Sequence, residues 1–250
     1  MALRLGVRLI FTASRRGRFR LGHADVSSSG ERVSLGRMQN PVRGLLHGTA
    51  ALLSVVGAAV LWREGAGDLG RQLALLVFGA SLVGLYTVSS LYHSVPWRAE
   101  WKRRMQRLDH AMIYVLVAGT YTPIAMATLS DWPRTATLAA TWSIAALGIW
   151  QKVFRPEIGD WFSITLQTVQ GWLALPFIGW LARELPPGAL TLVVAGGLSY
   201  TVGMLLFVSH RPRLWPRVFS YHEVFHVFVV AGSAAHYAMI LTYVTQLPSG

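Results

Sequence analysis

The residues whose types and spacing suit chemistry fall in three short stretches of this 250-residue chain. The first is Ser89-Ser90-Leu91-Tyr92-His93, the second is Leu108-Asp109-His110, and the third is Tyr221-His222-Glu223-Val224-Phe225-His226. His222 and His226 are spaced i and i+4, so on a helix they share one face. Two imidazoles so placed can take one zinc ion, at about 2.0–2.1 Å per bond. Ser89 and His93 have the same spacing, which puts a hydroxyl one turn from a further imidazole. Asp109 could ligate directly, or act from beside the metal as an orienting group and general base. The chain has no cysteine, so thiolate sites and disulfides are excluded and any zinc must be held by nitrogen and oxygen. A metal held by three nitrogens with an open position activates water or polarises a carbonyl.

Bringing these stretches together requires particular elements. Hydrophobic residues make up 53% of the chain and charged residues only 14%, well under the roughly 25% charged of a soluble domain. Seven apolar segments, long enough or nearly so to cross a bilayer core of about 30 Å, can be marked. They are Gly44–Trp62, Gln72–Val95, Leu108–Leu129, Thr135–Gln151, Trp161–Leu181, Gly188–Ser209 and Tyr221–Tyr243. Polar turns separate them, and Trp62, Trp97, Trp101, Trp132, Trp161, Trp180 and Tyr243 stand near their ends, as an interfacial aromatic belt requires. Pro123 and Pro176 lie inside segments, where a membrane helix tolerates proline. The expected fold class is an all-α membrane protein, a seven-transmembrane helix bundle.

Loop charge sets the orientation. Of 23 lysines and arginines, all but Arg63, Arg71, Arg134 and Arg183 fall in the N-terminal region or in the second, fourth and sixth connections. The positive-inside rule then places the N-terminus in the cytoplasm and the C-terminus outside. Segment two runs inward and ends at His93, whereas segments three and seven run outward from Asp109 and from His222. The orientation alone therefore brings His93, Asp109, His222 and His226 to one depth near the cytoplasmic face. Intramembrane ionisable groups are costly and usually functional, and three imidazoles at one level are read as metal ligands. Isolated His47 and His236 are read as helix–helix hydrogen-bond partners. His110 and His210, beside arginine-rich loops, are read as interfacial. Asp109 could also simply pair with Arg107, Arg104 or a histidine.

The net charge of +12 raises nucleic acid as a partner. The confinement of arginine to membrane-flanking loops gives a different account, and the expected surroundings are the lipid bilayer, with no nucleic acid. Residues 1–37 carry Arg4, Arg8, Arg15, Arg16, Arg18, Arg20, Arg32 and Arg37 against only Asp25 and Glu31, with Ser27-Ser28-Ser29-Gly30 as a disorder-prone run. The segment is read as a basic, disordered extension able to touch anionic lipid, or as sequence upstream of a true start at Met38. An arginine-rich targeting segment is the competing reading. Residues 38–250 form the seven-helix domain.

His222-Glu223-Val224-Phe225-His226 also fits the H-E-x-x-H pattern of zinc proteases, in which Glu223 would be the general base. An intramembrane protease carries that motif in an early helix with a later Asp-Gly element. Here the motif opens the last segment, and no membrane segment holds an Asp-Gly pair. A carboxylate at a helix N-terminus has a simpler use in stabilising the helix.

At these residues the chain resembles the hemolysin III family, bacterial relatives of the progestin and adipoQ receptors. The resemblance spans about Met38 to Val244 and rests on Ser89-x-x-x-His93, Arg107-Leu108-Asp109-His110 and His222-x-x-x-His226, with support from Asn40, His47-Gly48 and Gly119-Thr120-Tyr121-Thr122-Pro123. It implies a seven-helix fold with a cytoplasmic N-terminus, and zinc held by His93, His222 and His226 with Asp109 reaching it through water. The family belongs to a wider group that includes alkaline ceramidases, so the implied chemistry is hydrolysis of lipid-like amides, in the inner membrane of a bacterial cell and in the service of lipid homeostasis. Ser89 would then donate to the oxyanion or orient His93. The alternative is a non-enzymatic lipid sensor, receptor or pore-forming cytolysin with structural zinc. Segments four to six carry almost no charge, which disfavours a wide channel.

Overall fold

The computed structural model describes residues 38, 40–215 and 218–247. The basic extension, residues 1–37, lies outside the described residues. The regular elements among the described residues are all helical: α1 (Pro41–Glu64), α2 (Leu69–Ser94), α3 (Ala99–Thr128), α4 (Asp131–Phe154), α5 (Asp160–Gly171), α6 (Ile178–Glu184), α7 (Pro187–Ser209) and α8 (Tyr221–Thr242). Helices α1, α2, α3, α7 and the stretch Tyr221–Gln246 are each long and apolar enough to cross a membrane. The chain is an integral, multi-pass membrane protein.

Six of the seven expected segments form single helices. The fifth does not, and this corrects the sequence reading. Residues Trp161–Leu181 are split into α5, a 3-10 turn at Leu175–Phe177, and α6. Pro176 accounts for the break: it has no N–H to donate, and its ring collides with the carbonyl four residues back, here that of Trp172. The freed backbone groups are taken up from α3. The Tyr121 hydroxyl donates to the Gly171 carbonyl at 3.0 Å and accepts from the Ala174 N–H at 2.8 Å. Pro123, by contrast, lies within the uninterrupted α3. The two internal prolines, equivalent by sequence, thus have different outcomes.

Helix α3 also starts earlier than the apolar pattern indicates. Residues Ala99–Arg107, expected as a polar turn, form its first two turns. Apolar periodicity cannot mark a helix that is polar all round, but i,i+4 pairing can stabilise one. Arg104 donates to Glu100 at 2.6 Å and lies 5.0 Å over the Trp101 ring. Helix α4 likewise extends beyond the expected Thr135–Gln151 at both ends.

Apolar side chains are distributed as a bilayer demands. Leu52, Leu53 and Val56 of α1 are exposed by 73%, 67% and 63%, which suits lipid tails and would be costly in water. The core is centred on α2 and α8, with Leu75, Phe78, Leu82, Leu85, Met239 and Ile240 buried. Helices α7 and α8 approach closely at small residues, as membrane helices do. A Cβ on Gly196 would come within 2.5 Å of the His236 ring, and one on Gly232 within 2.9 Å of Tyr200. Polar bonds add to this seam: Ser233 Oγ meets the Tyr86 hydroxyl at 2.7 Å and the Tyr200 hydroxyl at 2.8 Å. Aromatic residues Trp132, Phe177 and Trp180 cluster where α4 begins and α6 lies.

Candidate metal centre

The last turn of α2 carries His93, and the first two turns of α8 carry His222 and His226. Helix α8 begins where it does because Ser220 and Glu223 form a capping box: the Ser220 side chain accepts from the Glu223 N–H, and Glu223 Oε2 accepts from the Ser220 N–H at 2.8 Å. The other carboxylate oxygen, Oε1, accepts from Arg43 Nε of α1 at 2.6 Å. Both oxygens of Glu223 are therefore committed to holding the start of α8, in keeping with the simpler use expected of a carboxylate there. The end of α2 is tied to the start of α1 by the Asn40 N–H donating to the His93 carbonyl at 3.0 Å, and by Ser90 Oγ donating to the Gly44 carbonyl at 2.8 Å.

These ties bring three imidazoles into one small space. Each of His93, His222 and His226 offers a ring nitrogen, and the three nitrogens lie within 4.8 Å of one another. The ring of His93 is 4.9 Å from that of His226 and 5.3 Å from that of His222, and the latter two are 4.9 Å apart. His93 and His226 are buried and His222 is half-buried. His93 Nε2 and His226 Nδ1 have no hydrogen-bond partner among the described residues. A buried polar atom left unpaired costs about 1–3 kcal/mol, and natural structures rarely collect several in one place. A shared metal ion would satisfy them together. Three nitrogen donors without cysteine suit zinc.

Asp109 of α3 lies at the same end of the bundle but outside the tight donor group. Ser89 of α2 is its side-chain neighbour across the helix interface. The alternative that Asp109 pairs with Arg104 is not realised, since Arg104 is bonded to Glu100. Ser89 is buried one turn before His93.

His47 was underrated by the sequence. The expectation is a helix–helix hydrogen-bond partner, yet both of its ring nitrogens are buried with no hydrogen-bond partner among the described residues. Instead its ring stacks on His226 at 3.9 Å with an interplanar angle of 23° and meets Tyr86 edge-on at 5.0 Å. His236 does fit the expected role, with Nε2 3.3 Å from the Val193 carbonyl of α7. His210 packs edge-on to Tyr221 at 4.9 Å. His110 lines the cavity described next. The signal that would have lifted His47 out is its position one turn after Arg43, which is bonded to the very helix that carries His226.

The histidines open on a cavity of about 1370 Å³. Its wall runs from His93, Asp109, His222 and His226 past Leu116, Val117, Ile124, Val193 and Val194 to Phe177 and Leu181 near the other end of the bundle. Helices α3, α5, α7 and α8 contribute its sides. A mostly apolar chamber with a cluster of histidines in its wall has the character of a ligand pocket.

The family model described as "Haemolysin-III related" matches residues 36–237. The chain belongs to the haemolysin III family. It is 30% identical over 206 residues to the "Hemolysin-3 homolog" of Bacillus subtilis (strain 168), covering 82% of this chain and 93% of that one. It is 33% identical over 207 residues to "Hemolysin-3" of Bacillus cereus, covering 82% and 91%. More distantly, it is 25% identical over 183 residues to the "Adiponectin receptor protein" of Drosophila melanogaster, covering 65% of this chain and 41% of that one. All three stretches singled out in the sequence lie within the matched span.

Proposed function

We propose that this haemolysin III family member is a zinc-dependent hydrolase of lipid-like amides, set in a bacterial inner membrane with its N-terminus in the cytoplasm. The observation that carries the reading is the convergence of His93, His222 and His226, with unpartnered buried nitrogens, at one end of an apolar cavity of about 1370 Å³. His93, His222 and His226 would hold the ion. Zinc with three protein nitrogens and an open position lowers the pKa of water to about 7 and polarises a carbonyl.

The chain's own residues supply the rest. The apolar wall receives an acyl chain and excludes water from everything but the polar end. Asp109 stands beside the histidines as proton carrier. It takes a proton from the attacking water and returns it to the amine nitrogen as the carbon–nitrogen bond breaks. The products are a carboxylate on the acyl chain and a free amine. Ser89, neighbouring Asp109, orients its carboxylate towards the reacting centre. Glu223 and Arg43 act at a distance by fixing the start of α8, and with it the spacing of His222 and His226. Lipid sensing with structural zinc is the competing class. A structural zinc usually has four protein ligands, and the described residues bring only three donors together.

The test combines metal analysis with a lipid-amide hydrolysis screen on detergent-purified protein, using Asp109→Asn as the discriminating variant. The expected result is about one zinc per chain in both proteins, with turnover in the parent and a loss of about 10²–10⁴-fold in the variant. Turnover unchanged in Asp109→Asn would overturn the role given to Asp109. No hydrolysis of any lipid amide by zinc-loaded parent protein would favour the sensor.

A further inference from the structure

The same cavity carries a second polar group that the proposed hydrolysis does not use. It is built where α4 ends and α5 begins. Lys152, in the last turn of α4, lines the cavity and is only 8% exposed. Its ammonium lies 3.9 Å from a carboxylate oxygen of Asp160, the first residue of α5. An ammonium has three N–H donors, and a carboxylate at 3.9 Å satisfies none of them at hydrogen-bond length. His110 of α3 lines the same cavity. It lies within electrostatic reach of Lys152 and Asp160 on one side and of His93 and His222 on the other. Asp109 and His110, adjacent on α3, both line the cavity and leave the helix about 100° apart.

A buried lysine is expensive to keep and is usually retained for a partner. The surroundings indicate the sign of that partner. Lys102, Arg103 and Arg107 also line the cavity at this end. The acids there are largely committed. Glu157 accepts from Arg155, which holds its carboxyl below the usual carboxylate range, and Asp160 is paired with Lys152. The field at the cavity mouth is therefore positive and favours an anion. We propose that Lys152 and His110, tempered by Asp160, form a headgroup subsite for the phosphate of an anionic amphiphile whose chain occupies the apolar cavity. The proposal rests on the reading of the cavity as a lipid site. Phosphate suits the group because its oxygens accept from an ammonium and an imidazole together. The apolar length of the cavity selects a phosphate that carries a chain over the free ion.

The test uses the full chain in maltoside micelles, with dodecyl phosphate as probe and dodecanol and inorganic phosphate as controls, read by equilibrium binding. Dodecyl phosphate should bind saturably, at least ten-fold tighter than either control. Lys152→Met should weaken it about ten- to hundred-fold, the range for one charge-assisted hydrogen bond. Asp160→Asn should tighten it, because a competing negative charge is removed. This opposite sign cannot arise from a folding defect. The combined His222→Ala and His226→Ala variant, which lacks the metal site, should lose less affinity for dodecyl phosphate than Lys152→Met does. Equal affinity for dodecanol, or for inorganic phosphate, would overturn the proposal. So would a loss in the double-histidine variant with none in Lys152→Met, since the phosphate would then sit on the metal. Binding that follows Lys152 in a protein that hydrolyses no lipid amide would leave the subsite standing and remove only the hydrolase reading.

Discussion

Glu223→Gln separates a structural carboxylate from a catalytic one, and its outcome can be worked out from two contacts. In the parent, Oε2 accepts from the Ser220 N–H at 2.8 Å and Oε1 accepts from Arg43 Nε at 2.6 Å, with the two side chains exposed by only 8% and 16%. Glutamine keeps one carbonyl oxygen, so either the cap or the contact with Arg43 survives, without the charge. Deleting one partner of a buried pair costs about 3–5 kcal/mol. The glutamine is isosteric and Arg43 keeps a little solvent, so the expected loss is smaller, about 1.5–3 kcal/mol, the worth of a hydrogen bond to a charged group. For a chain of this length each kcal/mol moves the melting temperature by about 2–4 °C, which predicts a drop of roughly 3–12 °C. Zinc content should stay at parent stoichiometry, and lipid-amide turnover measured well below the melting point should change by less than about three-fold. The assays are a thermal melt in detergent, metal analysis and turnover, with Arg43→Met and the double variant completing a cycle. Arg43→Met should be as destabilising, and the double variant should cost less than the sum. A protein that melts as the parent does but loses turnover by a hundred-fold or more would refute this reasoning and restore Glu223 as a general base.

Other perturbations test the remaining links. His222→Ala or His226→Ala should abolish stoichiometric zinc, whereas Ser89→Ala should keep it and lower turnover about 10–100-fold, the range for a group that orients another. Tyr121→Phe removes both hydrogen bonds at the break between α5 and α6, so a stability loss of about 2–4 kcal/mol is expected; an unchanged melt would mean that the break satisfies itself. A reporter placed at Arg103 should read as cytoplasmic and one fused after Gly250 as external, and a cytoplasmic C-terminus would reject the orientation derived from loop charge.

Much of this architecture was legible because lipid imposes a one-dimensional code. Segment length and residue polarity located six helices, five of them to within a few residues at each end, since a bilayer penalises exposed backbone and charge more than any tertiary contact can offset. The exceptions share a cause: each depends on a partner distant in sequence. Pro123 and Pro176 look alike until Tyr121 is placed beside the Gly171 carbonyl and the Ala174 N–H. The polar turns that open α3 carry no apolar stripe, and only pairings such as Arg104 with Glu100 show them to be helical.

The site divides in the same way. Helix direction alone put His93, Asp109, His222 and His226 at one depth, and i,i+4 spacing put the last two histidines on one face; the 4.8 Å grouping of the three imidazoles follows from those facts and close packing. Rotation about each helix axis is another matter, because depth does not fix it. Asp109 and His110 have nearly the same depth and adjacent numbers, yet they leave the helix about 100° apart, and their electrostatic neighbours differ: Ser89 for the one, Lys152 and Asp160 for the other. His47 is similar: its depth was available, but its ring over His226 at 3.9 Å depends on how α1 is turned against α8. That turn is set by Arg43 reaching Glu223, and by Gly44, where a Cβ would fall 2.0 Å from Ser94 Oγ. Residues that look like background in the sequence, an arginine and a glycine at the start of the first helix, therefore decide which imidazole faces meet. The centre is specified by these rotational locks as much as by its histidines.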